Sequence, residues 1–200
     1  MGCLLVLRTS PYFKLGYSMK LIILDRDGVL NQDSDAYVKS VDEWIPIPGS
    51  MEAVGKLCQA GYTIAVATNQ SGLARGYFAV SDLDAMHRKM ERLAAAHGGH
   101  FAYIAYCPHG PDDSCECRKP LPGLIHEIEE KLSVSAKDAW MVGDSIRDLQ
   151  AGIEAGCKPI LLRTGKGSAS ERKLTGTDLV GTPVYDDLNS FAKAILLNHQ

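Results

Sequence analysis

The sequence predicts an α/β fold, a three-layer, doubly wound parallel sheet, on three observations. Four short apolar runs read as strands. Each leads into polar side chains of the kind that handle phosphate or metal. Segments with apolar residues at helical spacing alternate with them, as right-handed strand–helix–strand crossovers require.

The first strand, Leu21-Ile22-Ile23-Leu24, runs into Asp25-Arg26-Asp27-Gly28. The second, Tyr62 to Ala67, runs into Thr68-Asn69-Gln70-Ser71-Gly72. Ser81 is the expected cap of a helix that buries Leu83, Met86, Met90, Leu93 and Ala94 and stops at Gly98-Gly99. The third strand, Phe101 to Tyr106, leads through a short loop to Arg118-Lys119-Pro120, and Pro122 opens a helix with Leu124, Ile125, Ile128 and Leu132 inward. The fourth, Ala139 to Val142, meets Gly143-Asp144-Ser145, with Asp148 one helical turn on. A last stripe, Leu188, Phe191, Ile195 and Leu196, closes the pattern. These stripes are core, and Cys58 and Cys157 read as buried residues of helix-like segments. Neither the stretch before Ser50 nor that before Arg118 has room for a separate cap domain, so loops alone should cover the strand ends.

Asp25 and Asp27 carry the most information. An isolated Asp at a strand end suits a turn, but two carboxylates one residue apart crowd like charges, and a divalent cation gives that crowding a purpose. In an open parallel sheet, ligands bind outside the carboxyl ends of the strands, so all four polar clusters can converge on one crevice. Taken singly, each has a plainer reading: Asp148 as a favourable charge on a helix N-terminus, Thr68 and Asn69 as turn residues, Lys119 as a solvated charge.

Cys107, His109, Cys115 and Cys117 form a second constellation within residues 107–117. Three thiols and one imidazole can close a tetrahedral Cys3His zinc site, and four protein ligands leave no open position, so this metal is expected to be structural. A disulfide or unligated thiols are the alternatives. The loop leads directly into Arg118 and Lys119 and would stiffen them.

These motifs, in this order, resemble the haloacid dehalogenase (HAD) superfamily of phosphotransferases, over most of the chain from Lys20 to the final helix. The resemblance implies a Rossmann-like fold and a Mg²⁺-dependent phosphomonoester hydrolase. Asp25 is then the nucleophile, Asp27 the general acid and base, and Thr68 and Lys119 the groups that steady the transferring phosphoryl. Mg²⁺ falls to Asp25, Asp144 and the main-chain carbonyl of Asp27, with Asp148 behind them. Cys-Pro-His followed by Cys-x-Cys-Arg-Lys-Pro is similar to the heptose-bisphosphate phosphatase and histidinol-phosphatase branch. Within it the favoured substrate is D-glycero-D-manno-heptose 1,7-bisphosphate, losing its 7-phosphate in lipopolysaccharide or glycan precursor synthesis; histidinol phosphate is the alternative. Arg118 supports the bisphosphate, because a guanidinium can grip a second phosphate and would repel the cationic end of histidinol phosphate. The competing reading pairs Arg118 with Asp112, Asp113 or Glu116. Asn69, Gln70 and Ser71, with Asp33 and Tyr37 from the loop after the first motif, are the other candidate substrate contacts. Ser145 stands where some members carry Lys, which removes a cation from that side, and the metal loop is short for the branch.

Composition fits one domain, residues 19–200. The chain of 200 residues is 46% apolar and 22% charged, and its net charge of −3 gives no drive toward nucleic acid or an anionic membrane. Local cations must therefore do any phosphate recognition. No basic recognition helix accompanies the metal loop, which argues against a nucleic-acid module; a binding scaffold without catalysis is the remaining rival. Thr164-Gly165-Lys166-Gly167-Ser168 lacks phosphate-loop spacing and reads as a solvated turn. Residues 1–18 are expected to lie outside the core, with a natural start at Met19. No apolar run is long enough to span a bilayer, and a cytoplasmic monomer acting on a sugar phosphate is expected.

Overall fold

The computed structural model describes residues 20–197; the expected N-terminal extension, residues 1–18, lies outside them. The elements are β1 (Lys20–Leu24), α1 (Ser50–Gln59), β2 (Tyr62–Asn69), α2 (Val80–Ala95), β3 (Tyr103–Cys107), α3 (Gly123–Leu132), β4 (Trp140–Gly143), α4 (Ile146–Glu154), β5 (Lys158–Leu162), α5 (Gly167–Glu171), β6 (Val184–Tyr185) and α6 (Leu188–Leu197). The six strands pair in the order β3-β2-β1-β4-β5-β6, every pair parallel.

Alternation along the strands separates two cores, because successive side chains point to opposite faces. Ile22 and Leu24 of β1, with Ile64 and Val66 of β2, pack among residues of α1, α2 and α6. Leu21 and Ile23, with Ala65 and Ala67, pack against α3 and α4-side residues such as Leu124, Ile128 and Ala151. Three layers result, and the strand order reverses between β1 and β4, whose C-terminal ends carry Asp25 and Asp144. That reversal opens the crevice in which doubly wound sheets bind ligands.

The predicted stripes hold: Leu83, Met86, Met90 and Ala94 are buried in α2, Leu124, Ile125 and Ile128 in α3, and Leu188, Phe191 and Ile195 in α6. Local details differ. Helix α2 begins at Val80, with Ala79 at the cap, because the Asp82 carboxylate accepts from the Ala79 N–H (2.8 Å); Ser81 therefore sits inside the first turn. Pro122 occupies the cap of α3, and β3 starts two residues later than the apolar run. Cys157 is buried as expected but lies in the connection between α4 and β5, and Cys58 is only half-buried, its thiol donating to the His100 carbonyl (3.4 Å).

Residues 25–49 and 108–122 hold no helix and no strand beyond isolated bridges, so loops face the crevice. The first is anchored by the fully buried Trp44, and Lys89 of α2 donates to the Val41 and Trp44 carbonyls (both 2.7 Å). No helix among the described residues is long and apolar enough to cross a membrane.

Candidate active site

The end of β1 delivers Asp25 into the crevice, its N–H donating to the Val142 carbonyl of β4 (2.9 Å). Gly28 then turns the chain with φ +83°, and a Cβ there would collide with the Asp144 carboxylate. Glycine is required twice over, for the left-handed backbone and for the close approach. Lys119, 2% exposed, reaches across the strand ends: its Nζ donates to the Ala67 carbonyl (2.7 Å), Asp25 Oδ1 (2.9 Å) and Asp148 Oδ1 (2.6 Å). The other oxygen of Asp148 accepts from the N–H (3.0 Å) and hydroxyl (2.7 Å) of Ser145. Both Asp148 oxygens are thereby occupied, so it orients Lys119 and caps α4 at once.

Carboxylate oxygens of Asp25, Asp144 and Asp148 lie within 4.8 Å of one another. Burial first, then the neighbouring carboxylates, push Asp144 up to about 8; burial pushes Asp25 up to about 7 despite the lysine beside it. Carboxylates held this way lack positive charge. A hard divalent cation with oxygen ligands fits that shortfall, through Asp25 and Asp144, the two without a full set of hydrogen bonds.

Asp27 lines the same cleft but keeps a different set of partners. Arg26 Nη2 donates to both of its oxygens (3.0 and 2.9 Å), joined by Asn31 Nδ2 (2.8 Å) and Gln70 Nε2 (2.8 Å). Burial alone would raise its proton affinity, but the Arg26 charge and these donors outweigh it and hold the carboxyl below its usual range. Thr68, 1% exposed, accepts from Gln70 Nε2 (2.8 Å), which leaves its own hydroxyl proton free to donate.

The structure brings the predicted residues to one cleft, with about 230 Å³ of space, and redistributes some roles. Asn69 and Gln70 line it, yet their amides are engaged internally: Asn69 bonds the Lys119 N–H (3.1 Å) and carbonyl (3.0 Å), and Gln70 holds Arg26, Asp27 and Thr68. Ser71 and Tyr37 line the cleft, Tyr37 with φ +66° and its ring edge-on to Tyr77. Asp33 is paired with Lys166 (3.0 Å). Arg118 forms no ion pair with Asp112, Asp113 or Glu116; it donates to the His109 carbonyl (3.1 Å) and faces the cleft.

The reading of residues 164–168 as a solvated turn needs correction. Thr164 donates to the Gly28 carbonyl (2.6 Å), the Lys166 N–H donates to Asp144 Oδ2 (2.7 Å), and a Cβ on Gly165 would collide with Asp144. The segment walls the metal-ligand side of the site. Sequence reasoning also passed over Arg26, Asn31 and Arg147; only the position of Arg26 between the two aspartates offered a signal.

Cys107, His109, Cys115 and Cys117 also converge within 4.8 Å. Cys107 Sγ lies 3.8 Å from Cys115 Sγ and 3.6 Å from His109 Nδ1, and His109 Nδ1 lies 3.3 Å from Cys117 Sγ. A tetrahedron with metal–sulfur bonds near 2.3 Å has edges of about 3.7 Å, so the four ligand atoms match a zinc site. None of the described cysteines is in a disulfide.

Comparison with known proteins agrees. A family model described as HAD-hydrolase-like matches residues 116–191. The D-glycero-beta-D-manno-heptose-1,7-bisphosphate 7-phosphatase of Pseudomonas aeruginosa is 53% identical over 90% of this chain and 99% of its own length. That of Neisseria meningitidis serogroup A is 53% identical over 89% and 95%. The crystal structure of D,D-heptose 1,7-bisphosphate phosphatase from B. bronchiseptica, complexed with magnesium and phosphate, superposes with a TM-score of 0.86 at 53% identity, covering 90% of this chain and 99% of that one. Four ordered motifs, a parallel sheet in 3-2-1-4-5-6 order and relatives at this identity lead to one conclusion: the chain belongs to the HAD-like phosphatases, in the branch of the heptose-bisphosphate phosphatases.

Proposed function

We propose that the chain removes the 7-phosphate of D-glycero-D-manno-heptose 1,7-bisphosphate, using Mg²⁺ for catalysis and Zn²⁺ for structure. The observation that carries the reading is Lys119 held between Asp25 and Asp148 beside Asp144, in a crevice whose mouth presents Arg118. The relatives named for this reaction, and the magnesium and phosphate in the Bordetella structure, support it.

Asp25 Oδ attacks phosphorus while the ester P–O bond breaks, and Asp27 delivers its proton to the departing sugar oxygen. Lys119 keeps a fixed positive charge beside the transferring group, and the Thr68 hydroxyl donates to one of its oxygens. Asp25, Asp144 and the Asp27 carbonyl would hold magnesium, which would supply the positive charge that screens the repulsion between anions. Asp27, now a carboxylate, takes a proton from water, whose oxygen attacks phosphorus; the Asp25–phosphate bond breaks and free phosphate leaves. The contacts around Asp27 suit this second half, which needs an anion, and an incoming phosphate dianion raises its proton affinity by like-charge repulsion for the first half.

Zinc on the cysteine–histidine loop would fix the backbone that presents Arg118 and Lys119. With no membrane-crossing helix among the described residues and a slightly acidic chain, a cytoplasmic monomer without nucleic-acid partners remains our reading. A side-by-side assay tests the substrate. The heptose bisphosphate should exceed histidinol phosphate in kcat/KM by at least tenfold, about 1.4 kcal/mol of transition-state discrimination; the reverse preference would overturn the assignment.

A further inference from the structure

Behind the Asp27 carboxylate, the structure leaves three buried polar atoms without a hydrogen-bond partner: Arg26 Nη1, Asn31 Oδ1 and His87 Nε2. Buried groups of this kind are rare and destabilising when unmet, so a group of them beside one catalytic carboxyl calls for a function. Arg26 is 1% exposed, and its Nε and Nη2 are engaged by Asp27 and Gln70, which leaves Nη1 with two N–H donors and no acceptor. His87, on α2, is 8% exposed, and its ring packs 6.3 Å from that of Tyr106. Burial, and after it the Arg26 charge, hold His87 down to about 4, so its imidazole is neutral and carries one lone pair. A guanidinium nitrogen without an acceptor and an imidazole nitrogen without a partner thus lie buried near each other, close enough for the Arg26 charge to act on the His87 ring.

We propose that His87 is a positioning residue, whose bare Nε2 accepts through one buried water from Arg26 Nη1, and so fixes the guanidinium that orients Asp27. The chain of action is His87 to Arg26 to Asp27, with no contact between His87 and substrate. Nε and Nη2 hold the guanidinium along one edge, and a bond at Nη1 fixes the opposite edge, which keeps the Asp27 oxygens on the path between leaving group and water. Positioning to within a fraction of an ångström is worth one to two orders of magnitude in rate.

The inference rests on Asp27 being the acid and base, and the experiment separates the two claims by leaving group. An alkyl sugar phosphate needs a proton as its oxygen departs; p-nitrophenyl phosphate does not. His87→Leu should lower kcat/KM at least tenfold on the sugar phosphate and less than twofold on p-nitrophenyl phosphate. His87→Gln, whose amide oxygen can accept in place of Nε2, should recover to within about threefold of wild type, in line with an ordinary hydrogen-bond contribution. Equal losses on both substrates, or none on either, would overturn the positioning role. An Asp27→Asn enzyme unimpaired on the sugar phosphate would instead overturn the catalytic reading beneath it. Should His87→Leu fail to fold, nitrogen-15 spectra of the wild-type imidazole decide: a proton on Nδ1 and none on Nε2 is expected, and a proton on Nε2 contradicts the proposal.

Discussion

Replacing Lys119 with Met should damage stability as well as catalysis, and by a pH-dependent amount. The ammonium is 2% exposed and serves two carboxylates, Asp25 at 2.9 Å and Asp148 at 2.6 Å, together with the Ala67 carbonyl. Methionine matches the volume, so little cavity forms and the cost is electrostatic. Removing one partner of a buried pair costs about 3–5 kcal/mol, a large share of the roughly 5–15 kcal/mol that stabilises a domain. The sign with pH follows from Asp25. Lysine lowers its proton affinity against the upward push of burial, so its loss drives the folded-state value above the wild-type value of about 7. The raised carboxyl favours the folded state while protonated, and that benefit fades as pH rises through the folded value. Urea unfolding in magnesium-free, zinc-replete buffer should therefore show a smaller deficit for Lys119→Met at pH 5.5 than at pH 8. A loss under about 1 kcal/mol, or one that is equal at both values, would refute the buried-network account.

Wild-type protein without magnesium should lose stability between pH 6.5 and 8.5, because Asp25 and Asp144, raised to about 7 and about 8, shed protons there. The slope approaches about 1.4 kcal/mol per pH unit for each group releasing a proton, and added Mg²⁺ should raise Tm more at pH 8.5 than at pH 6.5; a pH-independent magnesium effect would contradict the assigned ligands. Gly28→Ala meets the Asp144 carboxylate and an unfavourable φ of +83°, so magnesium affinity measured by calorimetry should fall at least tenfold, about 1.4 kcal/mol. Cys115→Ser should release zinc from the purified protein, counted by elemental analysis, and lower Tm, with kcat falling through the loosened Lys119 backbone; full zinc retention would count against the four-ligand site.

Much of the architecture was readable because long-range order follows from local pattern. The apolar runs at 21–24, 62–67 and 139–142 became β1, β2 and β4, and the rule that ligands gather at strand ends placed Asp25, Thr68, Lys119 and Asp144 together. Strands β5 and β6 were not foreseen: Lys158–Leu162 is a brief run beginning with Lys-Pro, and β6 is only Val184–Tyr185. Roles that depend on which way a side chain turns were harder still. Nothing in the spacing says that the Gln70 amide faces Asp27 rather than a ligand, or that the backbone of Lys166 meets Asp144 while its ammonium pairs with Asp33. Nothing in the sequence distinguishes His87 from its neighbours around the Leu83, Met86 and Met90 stripe, and only its unmatched Nε2 in the folded chain sets it apart.

The central claim is that Asp25 becomes phosphorylated during turnover. Asp27→Asn enzyme turning over p-nitrophenyl phosphate should accumulate the intermediate, since the leaving group needs no acid whereas hydrolysis lacks its base. Acid quenching followed by borohydride reduction and peptide mass spectrometry should then find the reduced acyl product at position 25 alone. Sustained phosphate release with residue 25 unmodified, or the mark on another carboxylate, would contradict the account.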